Sequence, residues 1–118
     1  MRRLSVTDNA DTRLFILGIE IGLSRLSKKL RLPEHGSTIC WFLSAQVSRT
    51  APYGVAKRAC RLSSAQMAHV VSVLVKAKLV SRVRNRTGDA RQFSLRLSSK
   101  ATVAFDELIE AARTIEER

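Results

Sequence analysis

Residues 62–97 hold seven basic side chains (Lys76, Lys78, Arg82, Arg84, Arg86, Arg91 and Arg96) against a single acid, Asp89. Side chains of this kind at this density neutralise phosphates, and the counterions they release favour binding to a polyanion. Four residues in the same stretch offer more than charge: Ser64, Gln66, His69 and Ser72 are polar groups able to reach base edges or phosphates. The Gln66 amide can pair with adenine or can complete a helix cap, and both readings stand. His69 can donate to a phosphate or to guanine; the plainer reading is an exposed helix histidine. Further on, Arg84 and Arg86 suit phosphates, and Arg91 at a ribbon tip suits a narrow minor groove, where the negative potential is strongest. Asp89 can hold Arg91 by a bidentate pair or fix the turn through backbone bonds. The plainer reading for these charges is a solvated strand edge that discourages aggregation.

Other chemistries lack their residues. There is no Gly-rich phosphate loop, no H-E-x-x-H and no paired acids in a pocket-forming pattern, and His35 and His69 stand alone. Neither a Ser nor a Cys has an evident base partner, so an enzyme is not expected. Cys40 and Cys60 do not have metal-ligand spacing, and no metal or cofactor is expected. A free Cys behaves as a small apolar residue in a core. Cys60, beside Arg58 and Arg61, is the better candidate for a reactive thiol.

These residues need elements to position them. Ser63-Ser64-Ala65-Gln66 fits the S-x-x-Q capping box and starts a helix. Met67, Val70, Val71, Leu74 and Leu79 recur at helical spacing and should face inward, leaving Ser64, Gln66, His69, Ser72 and Lys76 outside. Arg82, Arg84 and Arg86 then alternate on one strand, and Phe93, Leu95 and Leu97 share a face of the returning strand, with Gly88 in the turn between. A capped helix followed by a basic two-stranded ribbon is the pattern of a winged helix-turn-helix. Upstream, Asp11 or Thr12 can cap a helix to about Leu30, closed by Lys28, Lys29 and Arg31. Its apolar residues Leu14, Ile16, Leu17, Ile19, Ile21, Leu23, Leu26 and Leu30 cover more than one side, so a partner subunit is expected to cover it. Ser37 or Thr38 can cap a second helix to about Ser48; Ala51-Pro52-Tyr53-Gly54 reads as a turn, and 55–61 as a short helix. Ser98 or Ser99 can cap a last helix with Val103, Leu108, Ala112 and Ile115 inside.

The bulk numbers agree with one small folded domain. The 118 residues are 45% hydrophobic, 26% charged and 5% aromatic, with a formal charge of +11 and a pI near 11.1. Residues 98–118 carry three bases against five acids, so the last helix should face away from the polyanion. The apolar run 14–23 is short for a bilayer span and contains Glu20. Two thiols without a signal peptide point to a reducing cytoplasm, with the chain associated with the nucleoid.

The order of elements resembles the MarR family of bacterial transcription regulators. Leu62-Ser63 at the start of the recognition helix, followed by Lys76-Ala77-Lys78-Leu79-Val80-Ser81-Arg82, is similar to that family's passage through the helix into the wing. Asp89-Ala90-Arg91 matches its Asp-x-Arg at the wing, and Leu95-Arg96-Leu97-Ser98 resembles the strand that leads to the last helices. Lys78 stands where the family usually has Gly. The resemblance implies a mainly α fold with a two- to three-stranded β wing, built as one winged-helix domain over 1–118. Residues 1–10 would be a loose N-terminus, 37–97 the DNA-binding winged helix, and 11–31 with 99–118 the dimerisation helices. It implies a short version of the architecture with its C-terminal helix reduced. It further implies a homodimeric, sequence-specific regulator of transcription, a repressor, on a pseudo-palindromic double-stranded DNA site, with room for a small-molecule or protein effector. Ser64, Gln66, His69, Ser72, Arg84, Arg86, Asp89 and Arg91 would meet the DNA. The alternative is a winged-helix adaptor or anti-activator that binds a protein and has no DNA target.

Overall fold

The computed structural model describes residues 6–84 and 93–116. A long helix α1 (Val6–Leu30) is followed by α2 (Gly36–Ser44), a single 3₁₀ turn (Val47–Arg49) and a short strand β1 (Thr50–Pro52). Next come α3 (Tyr53–Cys60), α4 (Ser64–Lys76), β2 (Val80–Arg84), β3 (Phe93–Leu97) and α5 (Ser99–Glu116). The three strands form one antiparallel sheet in the order β1-β3-β2. The register pairs Ala51 with Leu95 on one side of β3 and Arg82 with Leu95 on the other.

The core is aliphatic, as the composition requires. Ile39, Cys40 and Leu43 of α2, Met67, Val71 and Leu74 of α4, Leu95 of β3 and Phe105 of α5 are all fully buried. Trp41 lies against Phe105 with ring centroids 6.3 Å apart. Helix α5 packs along α1, and Gly22 makes that approach possible: a Cβ there would fall 2.8 Å from Leu108 Cγ.

Several expectations need correction. Helix α1 begins at Val6, so residues 6–10 are part of it and not a loose lead-in. Helix α2 stops at Ser44, and Thr50–Pro52 pairs with β3, so the expected turn at 51–54 is strand and helix start. The α2 N-cap is His35, in a left-handed conformation and without a side-chain cap, in place of Ser37 or Thr38. In α5 the buried stripe is Ala101, Phe105, Leu108 and Ala112, while Val103 is 57% exposed. The stripe follows i, i+4, i+7 spacing, and Val103 falls outside it.

Helices α1, α3 and α4 end alike. After each, one basic residue (Arg31, Arg61 or Lys78) takes positive φ. Paired bonds close each end: Leu32 N–H to Ser27 O at 2.9 Å, Leu62 N–H to Lys57 O at 3.2 Å and Leu79 N–H to Leu74 O at 3.0 Å. This is the Schellman closure, which usually employs glycine. A cation there suits the negative helix end.

Candidate nucleic-acid interface

Helix α4 starts as its sequence demands. The Ser63 hydroxyl accepts from Gln66 N–H at 3.1 Å, and Gln66 Oε1 accepts from Ser63 N–H at 2.9 Å. The capping box is complete. Met67, Val70, Val71 and Leu74 anchor the helix in the core. Ser64, Gln66, His69 and Ser72 are all exposed. His69, Ser72 and Lys76 follow each other at three- and four-residue spacing, with Ala65 and Ala68 beside them, so they form a single outward stripe. Gln66 lies on the flank of that stripe, and its carbonyl oxygen is engaged by the cap. Bidentate pairing with adenine uses both ends of an amide, so the geometry gives Gln66 its capping role and leaves Nε2 as its outward donor.

The ribbon sits beside this helix. Arg82 and Arg84 are exposed on β2. They pair across to Leu95 and Phe93, so they share the face of the sheet that covers the core. Arg82 lies over the Phe93 ring at 5.7 Å from its centroid. Phe93 in turn packs on Tyr53, the first residue of α3, with centroids 5.0 Å apart. An arginine of the ribbon is therefore tied through two rings to the helix preceding α4, and the cation–π contact restrains its otherwise mobile side chain. Reading the sequence alone did not single out Arg82 as a site residue. Its signal is the diagonal placement of Phe93 in the hairpin register, which needs the turn length to be known. Arg86, Asp89 and Arg91 lie outside the described residues.

The two thiols are placed apart from this surface chemistry. Cys40 is fully buried, and burial, with a smaller contribution from Cys60, pushes its thiol up to about 12. Cys60 is half-buried and is also raised by burial; its thiol lies 3.9 Å from the Thr38 carbonyl. Neither has the lowered pKa of a reactive thiolate. Among the described residues no group of three or more His, Cys, Asp or Glu could hold a metal ion. No described helix is long and apolar enough to cross a membrane.

No protein-family model matches the chain, and no curated protein matches it. Solved structures do. AbsC, a MarR family transcriptional regulator from Streptomyces coelicolor, is 19% identical, with 98% of this chain and 79% of AbsC covered at a TM-score of 0.61. NadR in complex with 4-hydroxyphenylacetate is 16% identical, with 99% and 82% covered at 0.66. The S. aureus MepR–DNA complex is 14% identical, with 90% and 82% covered at 0.63. Across nearly its whole length, then, the chain has the winged-helix fold of the MarR transcriptional regulators.

Proposed function

We propose that this chain is a homodimeric, sequence-specific regulator of transcription that binds double-stranded DNA and represses. The observation that carries this reading is the exposed polar stripe of α4 together with the ring-anchored arginine of β2, the strand that packs on α4. Helix α4 is slim and polar on its outer side, as a helix entering a major groove must be. His69 and Ser72 reach the bases, while Ser64 and the Gln66 amide group sit at the entry of the groove. Arg82 and Arg84 meet phosphates, and Arg86, Asp89 and Arg91, outside the described residues, are assigned to the DNA contact on their sequence alone. MepR, which shares the fold, was solved with DNA.

Dimerisation is carried by α1. Its inner side, with Ile19 and Leu26, is buried in the protomer, whereas Leu14, Leu17 and Ile21 recur at three- and four-residue spacing and stand 44–50% exposed. A second copy of the chain covers that stripe. Two recognition helices would then read half-sites about 34 Å apart, one turn of duplex. NadR was solved with a small ligand, which supports a small-molecule effector for this chain too. The chain works in the cytoplasm, on the nucleoid.

Selection of bound sites from a random duplex pool tests the proposal. A two-fold symmetric motif is expected. Recovery of no enriched motif, together with equal affinity for all duplexes at low salt, refutes sequence-specific binding. In the same assay Arg91→Ala should weaken binding to the selected site; unchanged affinity removes the ribbon tip from the mechanism.

A further inference from the structure

The middle strand of the sheet opens on an aromatic residue, Phe93, and backbone register gives it a neighbour on each side. On β2 its direct partner is Arg84, with Arg82 on the diagonal. On the other side β1 pairs Pro52 with Ser94, so the next residue, Tyr53, comes opposite Phe93 where the chain turns into α3. The result is a row across the sheet: Tyr53 and Phe93 with ring centroids 5.0 Å apart, then the Arg82 guanidinium 5.7 Å from the Phe93 centroid. We propose that Phe93 and Tyr53 are positioning residues for DNA binding, which hold the Arg82 guanidinium ready to take a backbone phosphate. The proposal rests on the reading that Arg82 meets a phosphate.

Three observations carry it. First, Arg82 is restrained without being neutralised. The ion pairs among the described residues join His35 to Glu34, Arg49 to Asp106 and Arg113 to Glu110. A ring has no charge to cancel the guanidinium's, and a cation–π contact engages the face of the group while its N–H donors lie in the plane. Those donors suit a phosphate.

Second, Arg82 stands where the interior gives way to the surface. Val80, Arg82 and Arg84 share one face of β2. Val80 is buried opposite Leu97, whereas Arg82 and Arg84 are exposed. The same strand packs on α4, so Arg82 lies where the ribbon leaves the helices. Third, an exposed arginine has many rotamers and loses that freedom when it binds. Contact with Phe93 removes part of that freedom in the free protein, and Tyr53 fixes Phe93 against the start of α3. The row therefore sets the arginine relative to the helices that precede and form the reading surface.

Affinity of the full chain for a short DNA duplex at low salt, measured by fluorescence anisotropy, tests this. Arg82→Gln should weaken binding about tenfold, the loss of one charge-assisted hydrogen bond. Phe93→Leu should weaken it about two- to fivefold, the worth of a cation–π contact at an exposed site. The ring-keeping variants Phe93→Tyr and Tyr53→Phe should bind as wild type does, and Tyr53→Leu should bind less tightly. The decisive comparison is the double variant: with Arg82→Gln in place, Phe93→Leu should weaken binding no further. A ring that only packs would weaken it by the same factor in both backgrounds, which would overturn the proposal. If Phe93→Leu fails to fold, Tyr53→Leu in the two backgrounds makes the same comparison. NMR of the free protein supplies a readout without DNA. The Arg82 side-chain protons should be shifted upfield by the ring in wild type and in Phe93→Tyr, and should return to ordinary values in Phe93→Leu; unshifted signals in wild type refute the contact. If Arg82→Gln binds as wild type does, the phosphate contact and the proposal fall together. If Arg82→Gln weakens binding and Phe93→Leu and Tyr53→Leu do not, the positioning role alone fails and the DNA contact stands.

Discussion

Replacing Gly22 by alanine tests the packing of α1 on α5, and with it the frame that presents the α1 stripe. In isolation the change should stabilise, because alanine is favoured over glycine inside a helix by about 1 kcal/mol. Here the added Cβ would lie 2.8 Å from Leu108 Cγ and 3.2 Å from Cδ1. Both distances are below ordinary van der Waals contact, and Cγ is the branch point of a buried side chain that cannot simply swing away. Overpacking of this kind costs about 1–3 kcal/mol, so the net effect is a loss of roughly 1 kcal/mol. Removing the obstacle reverses the sign. Leu108→Ala alone should cost about 2–5 kcal/mol as a buried large-to-small change, but in that background Gly22→Ala should gain about 1 kcal/mol. The two changes are therefore coupled by about 2 kcal/mol, well above the error of additivity for independent sites. Urea unfolding of the four variants at one fixed protein concentration measures the cycle, since the proposed dimerisation would make apparent stability depend on concentration. A coupling near zero, with Gly22→Ala stabilising equally in both backgrounds, would show that the two helices do not meet at this contact.

Further outcomes follow from other parts of the molecule. Lys78→Gly, at the left-handed end of α4, should raise stability by about 1 kcal/mol, visible as a higher urea midpoint with unchanged slope; no gain would mean that the cation offsets the strain. Arg84→Ala should lower the slope of log affinity against log salt by about one, with little change in sequence preference, whereas His69→Ala should relax the preference itself by about 1–3 kcal/mol; binding titrations over a salt series separate the two. Cys40, with its thiol pushed up to about 12 by burial, should resist alkylation at pH 8 in the folded protein while Cys60 reacts first. Because the folded value lies above the unfolded one, Cys40 favours the folded state fully below pH 9 and loses that contribution as the pH climbs toward 12; mass spectrometry of labelled peptides that finds both thiols modified at one rate contradicts the burial.

The parts legible in the sequence were those specified locally. Ser63 and Gln66 lie three residues apart, and their reciprocal bonds need nothing beyond the helix they start. The apolar spacing of Met67, Val70, Val71 and Leu74 likewise gave the buried side of α4, and with it the outward residues. What escaped was decided by distant partners. Thr50–Pro52 has no strand signature of its own and becomes β1 only because Arg96, Leu95 and Ser94 pair with it. Phe105 is chosen for the core by Trp41 across from it, and Val103 is left outside despite equal apolarity. Arg82 gains its anchor from Phe93 and Tyr53, a relation set by hairpin register. Gln66 is a mixed case, since the pattern foresaw the cap but could not show that its carbonyl oxygen is thereby engaged.

The strand order β1-β3-β2 has a consequence for the nascent chain. The middle strand is the last of the three to be synthesised, and both outer strands depend on it for hydrogen bonds. While the ribosome has delivered only as far as β2, β1 has no strand to pair with, Tyr53 lacks the ring it packs on, and Leu95 is missing from the centre of the interior. Helix α4 can form early from its own capping box, but the assembled domain must wait for residues 93–97 to leave the exit tunnel. A stalled or truncated product ending before Phe93 would carry α4 with its apolar side uncovered, a species prone to capture by chaperones and to degradation.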